Sequence, residues 1–358
     1  MTPLGLIVNP VAGLGGTVGL KGSDGAQVQR LARERGAVPR AGTRAALAVA
    51  ELAARCPDAE ILTVAGDMGA DAAGPRGRVV CERPETTGPA DTRRAVDALV
   101  AAGAGLIMFA GGDGTARDVL DALGGRVPAI GIPAGVKMHS AVHAVNPRAA
   151  GEVAAAFLAG TAHVAPAEVA DREGDAIVLY GLMPVPRLGE RVQRGKVGSA
   201  RTGGDDLAGI AAELAAHAVP GGLDVYGPGT TTHGVLRVLG VDTPPTGVTA
   251  VSGGRCLVAD ADAAALEGLA AGRPGVRVIV SPIGGQGFLF GRGNQQITPA
   301  LLRGATVTVV CGEAKLAALG GRPLLVDTGD DALDASLTGY LPIVTGRGRR
   351  VMYKLGEP

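Results

Sequence analysis

The feature that most constrains this chain is a repeated order of short apolar run, loop and helical segment in its first half. The runs are Leu4 to Val8, Ile61 to Val64, Leu106 to Ala110 and Ala129 to Ile132, and each is continuously apolar or nearly so. A strand with one wet face alternates apolar and polar residues, whereas a strand buried on both faces does not. Asp91 to Ala102 has the helical periodicity expected of a covering layer. The pattern therefore predicts an α/β domain around a parallel sheet.

The pattern changes after about residue 148. A helix over Ala149 to Ala159 is followed mainly by strand-like pieces with fewer helices between them. The length of 358 residues agrees with two domains at about 150 residues each. We therefore predict an N-terminal α/β domain over 1–148 and a β-rich mixed domain over 149–358. The last short strands are a candidate to return to the first domain.

Composition and charge exclude several classes of protein. Lys+Arg and Asp+Glu are both 34, so the chain lacks the basic excess typical of nucleic-acid binding. Aromatic residues make up 2%, too few for a base-stacking platform. The longest apolar stretch, Ala98 to Gly112, is too short and too rich in glycine to span a bilayer. The first residues lack the basic start of a signal peptide. These features predict a cytoplasmic protein that binds neither nucleic acid nor membrane.

The strongest local signal for chemistry is the sequence Gly-Gly-Asp-Gly-Thr at residues 111–115, between a predicted strand and a helix. Such a turn gathers backbone N–H groups at a helix N-terminus, where phosphate binds readily. Gly111, Gly112, Gly114 and Thr115 are therefore candidate phosphate-binding residues. Asp113 in their midst is a candidate Mg²⁺ ligand or the group that orients an attacking hydroxyl. The structural alternative is an Asx turn that uses the aspartate for its own backbone.

A second glycine-rich loop follows the first predicted strand. Carboxyl ends of parallel strands share one sheet edge, so this loop is expected near Asp113. It is neither a dinucleotide fingerprint nor a P-loop, because both glycine spacings are absent. Its candidate nucleotide-binding residues are Asn9, Gly13, Gly15, Gly16 and Lys21.

A third loop follows the run that ends at Ile132. The side-chain ammonium of Lys137 in this loop is a candidate phosphate contact. The histidine in this loop has a structural alternative, as a satisfied core side chain. The candidate nucleotide-binding residues here are Lys137, Met138, His139 and Ser140.

Two segments of the second domain gather hydroxyl and amide groups beside glycines. Neutral donors and acceptors of this kind suit sugar hydroxyls or a carboxamide, although ordinary turns use them as well. The candidate substrate-binding residues in these segments are Gly229, Thr230, Thr231, Gln286 and Asn294.

These motifs, taken together, resemble the ATP-NAD kinase family within the NAD kinase and diacylglycerol kinase-like superfamily. The turn at 111–115 and the N-P-x-A-G start at Asn9 indicate the superfamily. The segments Gly131 to Ser140, Gly227 to Thr232 and Ser281 to Gln296 are similar to the subgroup that includes the acetoin-catabolism protein X. The similarity runs from about residue 4 to the C-terminus in the same order.

The resemblance implies a Rossmann-like nucleotide-binding domain, a β-rich substrate domain and a site in the cleft between them. It implies transfer of a phosphoryl group from ATP, or from polyphosphate, to the 2′-hydroxyl of NAD, with Mg²⁺ as cofactor. It gives Asp113 the catalytic role. The chain departs from the family in having no Asn-Glu or Asn-Asp pair, and Glu168 and Asp171 are the candidate replacements for binding the acceptor.

Two other functions remain open at this point. The absent pair favours a kinase of the same fold that acts on another hydroxyl, in a sugar, polyol or nucleoside. A protein of a different class, a nucleotide-binding regulator without turnover, would use the same loops. In each case the partners are small nucleotides, and homo-oligomers are common among such kinases.

Overall fold

The computed structural model describes residues 2–20, 22, 25–174, 176–195, 202–244 and 246–356. The chain forms two compact units. The first holds Met1–Leu14 and Gly22–Lys196, and the second holds Gly15–Lys21 and Val197–Glu357. The division falls later than the predicted boundary at 148.

The first unit is built on a five-stranded parallel sheet with helices around it, as the continuous apolar runs predicted. Strands β1 to β5 are Leu4–Val8, Ile61–Val64, Gly77–Cys81, Leu106–Gly111 and Ala129–Pro133. Helices α1 to α6 are Ala26–Glu34, Ala41–Arg55, Ala70–Ala73, Pro89–Ala101, Asp113–Leu123 and Pro147–Leu158. The α/β fold class predicted from the sequence is confirmed.

The strand order in this sheet is β3-β2-β1-β4-β5. Strands β2 and β3 follow on one side of β1, and strands β4 and β5 follow on its other side. The direction of the connections therefore reverses between β1 and β4, which are hydrogen-bonded neighbours in register from Leu4 with Leu106 to Val8 with Ala110. At such a switch point the loops that follow the two strands diverge and leave room for a ligand.

The first unit continues beyond its sheet through α6 and an antiparallel hairpin. The hairpin consists of β6, His163–Glu173, and β7, Ala176–Arg187. Helix α6 packs on α2, β6 packs on α5 and β7 packs on β5. These contacts explain why the first unit extends past the change of pattern near residue 148.

The second unit has a seven-stranded mixed sheet in the order β10-β9-β8-β11-β12-β13-β14. The neighbouring strands β8, β11, β12 and β13 are parallel, and the remaining pairs are antiparallel. Strands β8 to β14 are Leu223–Tyr226, Thr249–Ser252, Arg255–Val258, Val276–Val280, Thr306–Val310, Gly339–Gly346 and Arg349–Leu355. Helices α7 to α12 are Gly204–Ala216, Thr230–Val238, Ala263–Ala270, Pro299–Arg303, Glu313–Ala317 and Asp331–Leu337. The last described strand, β14, pairs with β13 in this sheet.

Apolar side chains cover both faces of the central strands of the second unit. Along β11, Val278 and Val280 belong to one buried cluster and Ile279 to another. Successive side chains of a strand point to opposite faces, so these two clusters are the two cores of the sheet. All four cysteines are free, and of these Cys311 is buried and Cys256 is exposed. Within the described ranges, no helix has both the length and the apolar content needed to cross a bilayer.

Candidate active site

The candidate active site lies in the first unit, where the loops after β1 and β4 leave the sheet. The backbone N–H of Asn9 donates to the carbonyl oxygen of Ala110 at 2.9 Å, so the two loops begin side by side. The amide Nδ2 of Asn9 also donates to Oγ1 of Thr115 at 2.9 Å. Asn9 therefore fixes the β1 loop to the first turn of α5.

The loop after β5 packs against both of these loops at backbone distance. A Cβ added to Gly13 would lie 2.0 Å from the carbonyl oxygen of Ala134, and Gly13 has a φ of 74°. A Cβ added to Gly112 would lie 3.1 Å from Cα of Gly135. Glycine at positions 13 and 112 therefore allows the three loops to meet with no side chain between them.

Asp113 is the first residue of α5 and is almost completely buried, at 4% exposure. Its Oδ1 accepts the backbone N–H of Ser140 at 3.0 Å. Its Oδ2 accepts the backbone N–H of His139 at 2.6 Å and contacts Nδ1 of the same residue at 3.0 Å. Asp113 thus anchors the loop after β5 rather than closing an Asx turn on its own segment.

The pKa of the Asp113 carboxyl reflects two opposed effects. Burial raises this pKa, because it removes water from the charged form. The hydrogen bonds from His139 and Ser140, together with the electrostatic interaction with His143, lower it by more, so the net pKa lies below its ordinary value. Asp113 is therefore ionised at neutral pH.

A second set of hydrogen bonds holds the anchored loop from the other side. Ser140 Oγ donates to the carbonyl oxygen of Ala170 at 2.8 Å and accepts the backbone N–H of Ala170 at 3.1 Å. Gln193 Nε2 donates to the carbonyl oxygen of Ser140 at 2.8 Å. Ser140 is therefore part of the frame of the site, and Met138, which is also buried, lies against Gly135.

The N-terminus of α5 is the part of the site best suited to an anion. The helix has eleven residues, and its N-cap, Gly112, brings no capping side chain. The first N–H groups of such a helix point outward with a positive partial charge. Gly114 is exposed here, with nothing within 4 Å of a Cβ added to it. The backbone at Gly114 is therefore open to a phosphate group.

The two acidic residues predicted for acceptor binding lie on β6 and differ in what they contact. Asp171 is ion-paired with Arg117 of α5 at 3.2 Å, and the guanidinium of Arg117 lies over the ring of Tyr180. Glu168 is exposed, and its backbone carbonyl accepts the N–H of Ala141 close to the anchored loop. Glu168 is therefore better placed near the site, while Asp171 already has a cationic partner.

The β1 loop is divided between the two units. Asn9 and Gly13 belong to the first unit, and Gly15 and Gly16 are grouped with the second. In the second unit, Thr17 accepts the N–H of Ala263 at the start of α9. The candidate Lys21 lies outside the described residues.

Three of the candidates in the second unit directly follow β8, at the carboxyl end of a strand in the parallel part of its sheet. Gly229 precedes α8 with a φ of 139°, followed by Thr230 and the buried Thr231. Lys315, which is also buried, donates from Nζ to Ser281 Oγ at 2.9 Å and to Thr231 Oγ1 at 3.4 Å. The sequence motifs include Ser281 as the first residue of the segment Ser281 to Gln296, but they do not include Lys315. The scarcity of lysine, five in the chain, was the available signal for Lys315.

The amides predicted in the second unit are buried in its loops. Asn294 accepts the N–H of Gly291 at 3.0 Å and donates to the carbonyl oxygen of Leu289 at 2.7 Å, so it stabilises its own turn. Gln286 is 5% exposed. Neither position presents an open amide surface to a ligand.

Among the described residues there is no group of three or more His, Cys, Asp or Glu side chains that could hold a metal. Both carboxylate oxygens of Asp113 accept N–H groups.

The loops at the switch point and the Asp113 turn define an α/β protein with a glycine-rich turn and a buried acidic group at the carboxyl ends of parallel strands. The chain belongs to the ATP-NAD kinase family. The model of the family's N-terminal domain matches residues 4–162, and that of its C-terminal domain matches residues 224–355. These matches confirm the family predicted from the motifs.

Two solved structures of a Bacillus anthracis str. Sterne protein, provisionally described as a diacylglycerol kinase, are also similar to this chain. One is 22% identical over 49% of this chain and 46% of its own length, with a TM-score of 0.27. The other is 18% identical over 66% of this chain and 56% of its own length, with the same TM-score. The chain thus spans about half the length of these structures. No curated protein matches the chain.

Proposed function

We propose that this protein is a small-molecule kinase that transfers a phosphoryl group from MgATP to the 2′-hydroxyl of NAD, giving NADP. The observation that carries the proposal is the turn at 111–115, with its ionised aspartate, at the switch point of a parallel sheet. Membership of the ATP-NAD kinase family supports the same reaction class.

Each residue of the site would have a separate role in phosphoryl transfer. In such a transfer, catalysis consists mainly of positioning and electrostatic stabilisation. The first turn of α5 would bind the phosphate oxygens through its backbone N–H groups, with Gly114 leaving room for them. Asn9 and Thr115 would hold that turn in place, and Lys137 would supply positive charge. Mg²⁺ would arrive with the nucleotide.

A second candidate is a kinase of the same fold that acts on a different hydroxyl. It is favoured by the absence of an Asn-Glu or Asn-Asp pair from the sequence. Of the two acidic replacements, Asp171 is occupied by Arg117, which leaves Glu168 to contact the acceptor. A cytoplasmic location and assembly as a homo-oligomer are further parts of this proposal.

The deciding experiment measures ADP release from MgATP with and without NAD⁺, and NADP⁺ by a coupled dehydrogenase. The variant is Asp113→Asn, and the matched control is Asp58→Asn, which lies in an exposed turn after α2. We expect NADP⁺ from the wild type and from the control, and a loss of at least about 100-fold in Asp113→Asn.

Other outcomes discriminate between the candidates. Polyphosphate in place of ATP tests the donor. ADP release that depends on a sugar, polyol or nucleoside, but not on NAD⁺, would contradict NAD as the acceptor and support a kinase that acts on another hydroxyl. Nucleotide binding by calorimetry, with no ADP released for any acceptor, would identify a non-catalytic regulator and contradict both kinases.

A further inference from the structure

Arg187, the last residue of β7, carries a half-buried positive charge that no carboxylate balances among the residues that the structure describes. In this part of the chain its single hydrogen bond runs from Nη2 to the carbonyl oxygen of Ala141 at 3.4 Å. A guanidinium has several more N–H donors than this bond uses. A charge that is partly removed from water without a counter-charge lowers the stability of a fold, and a bound anion would offset that cost.

The electrostatic surroundings of Arg187 differ from those of the other partly buried arginines. Burial and the like charge of Arg194 lower the pKa of Arg187. Burial also acts on Arg117 and Arg277, but there a hydrogen-bonded aspartate outweighs it, so the pKa of each is raised. Arg187 stays protonated at neutral pH all the same, because a guanidinium does not lose its proton in a protein. It is therefore a cation in a positive environment.

Arg187 and Glu168 both lie beside Ala141, which follows Ser140 in the loop after β5. A Cβ added to Gly195 would lie 3.4 Å from Oε2 of Glu168 and 3.9 Å from Cβ of Ala141. The backbone N–H of Ala141 also donates to the carbonyl oxygen of Glu168 at 2.8 Å. Within the described ranges no ion pair joins the Glu168 carboxylate to the Arg187 guanidinium. Each charge can therefore bind a different group of one ligand.

We propose that Arg187 binds a phosphate group of the acceptor, so that the substrate of this site is an alcohol that carries phosphate and not a neutral sugar or polyol. The inference rests on the proposed phosphoryl transfer and gives the substrate class of that same site. Because Arg187 shares Ala141 with Glu168, the residue left to contact the acceptor, we assign its anion to the acceptor rather than to ATP.

The chemistry of the two side chains fits a nucleotide. A guanidinium forms paired N–H bonds to two oxygens of one phosphate group. A carboxylate accepts hydrogen bonds from sugar hydroxyls. NAD⁺ offers both kinds of group, since a diphosphate joins its two riboses. A neutral sugar would satisfy Glu168 but would leave Arg187 without a counter-charge.

The test measures the binding of NAD⁺ to the full-length protein by calorimetry, in the wild type and in Arg187→Gln. Glutamine keeps an N–H donor for the carbonyl oxygen of Ala141 and removes the charge. The matched control is Arg76→Gln, since Arg76 is exposed and donates from Nη1 to the carbonyl oxygen of Pro57 at 2.7 Å. We expect the affinity for NAD⁺ to fall by about 10- to 100-fold in Arg187→Gln and to be unchanged in the control.

Kinetics and stability supply readouts that a structural role would not reproduce. KM for NAD⁺ should rise by a similar factor, with kcat and KM for MgATP close to those of the wild type, because the phosphate contact is equal in the ground and transition states. Arg187→Lys should recover part of the affinity, since it keeps the charge but not the paired N–H groups. The urea midpoint of Arg187→Gln should equal or exceed that of the wild type. A structural role would instead lower this midpoint and leave the affinity for NAD⁺ unchanged.

Pairs of acceptors that differ only in a phosphate group test the substrate class directly. Adenosine is compared with AMP, and glucose with glucose 6-phosphate. The member of a pair that carries phosphate should have a kcat/KM at least about tenfold higher in the wild type, and Arg187→Gln should lose this preference.

The outcomes separate this inference from the proposed function. Product from the wild type with an unchanged KM for NAD⁺ in Arg187→Gln, or with a raised KM for MgATP instead, would overturn the role of Arg187 and leave the kinase intact. Equal turnover of neutral and phosphate-bearing acceptors would overturn it as well. No phosphorylated product from the wild type with any acceptor would contradict the proposed function. In that case equal affinities of wild type and Arg187→Gln for NAD⁺ would overturn the phosphate contact too, and a weaker affinity in the variant would support it.

Discussion

Both units of this chain have glycine-rich loops at the carboxyl ends of parallel strands, but the central charged side chains in these loops have opposite sign. In the first unit the central charged side chain is the carboxylate of Asp113, which is held by backbone N–H groups and a histidine. In the second unit it is the ammonium of Lys315, which is held by the hydroxyls of Ser281 and Thr231. One set of loops is centred on an anionic hydrogen-bond acceptor, and the other on a cationic donor with neutral hydroxyl groups around it.

This difference shows that loop architecture alone does not assign a role. Both units satisfy the rule that ligands bind at the carboxyl ends of parallel strands. The charge in the centre of each loop set decides what can bind there and what can react. The predictions below test whether the two units depend on these charges, and on the glycines around them, in the different ways that the contacts indicate.

The largest effect on stability is expected in the second unit, at the buried ion pair between Arg292 and Asp327. The two side chains are each 3% exposed, and their charged atoms are 2.6 Å apart. Asp327→Asn removes the carboxylate from a buried guanidinium and should lower the free energy of unfolding in urea by about 3–5 kcal/mol. Glu60→Gln, in the exposed pair with Arg78, should cost less than about 1 kcal/mol. Equal effects of the two substitutions would contradict this.

A smaller effect is expected in the first unit from Gly13→Ala. The new Cβ would lie 2.0 Å from the carbonyl oxygen of Ala134. The backbone at Gly13 is also left-handed, which adds strain for any residue with a side chain. Gly36→Ala is the matched control, since Gly36 has a φ of 78° and nothing within 4 Å of an added Cβ. We expect the free energy of unfolding in urea to fall by about 1–2 kcal/mol in the control and by more than that in Gly13→Ala. A cost no larger than that of the control would mean that the loops do not pack as described.

The charge of Asp113 should make the stability of the first unit depend on pH. Its pKa is lowered in the folded state, so its carboxylate contributes stability above the unfolded pKa of about 3.9. This contribution is lost as the pH falls through the folded pKa. At pH 7, Asp113→Asn should lower the free energy of unfolding by about 1–3 kcal/mol, because the amide cannot satisfy the same N–H groups. The difference from wild type should shrink below about pH 4, and a constant difference down to pH 3 would show that the charge contributes nothing.

The backbone plan of the first unit was predictable from the sequence for a physical reason. Continuous apolar runs specify strands buried on both faces, and their parallel arrangement brings the loops after β1 and β4 to one edge. This rule predicts that Asn9 lies close to the turn at 111–115, and the hydrogen bond from Asn9 to Thr115 agrees with it. The same reasoning predicted the α/β class.

The side-chain contacts of the site were not predictable in the same way. The bonds from Asp113 to His139 and Ser140 join residues 26 and 27 positions apart and depend on how α5 meets the loop after β5. Lys315 reaches Thr231 across 84 positions. No local periodicity encodes such contacts, because they arise only once separate elements are packed. For this reason the sequence located the loops but not the pairing of aspartate with histidine.

The smallest effect on stability, and the most informative one for binding, is expected from Gly114→Ala. An added Cβ at Gly114 has open space around it, and Gly42 of α2 offers a matched control, since an added Cβ there has no neighbour within 4 Å either. In a helix, alanine is more favourable than glycine by up to about 1 kcal/mol, so neither substitution should destabilise the fold in urea. If a phosphate group lies against the backbone of Gly114, however, the methyl group will hold it away from the N–H groups of α5. Calorimetry with MgADP should then show an affinity about tenfold weaker in Gly114→Ala, equivalent to about 1.4 kcal/mol, and unchanged in Gly42→Ala. Equal affinities in the two variants would place the phosphate elsewhere, and Lys315 and the hydroxyls of the second unit would become the stronger candidates for binding it.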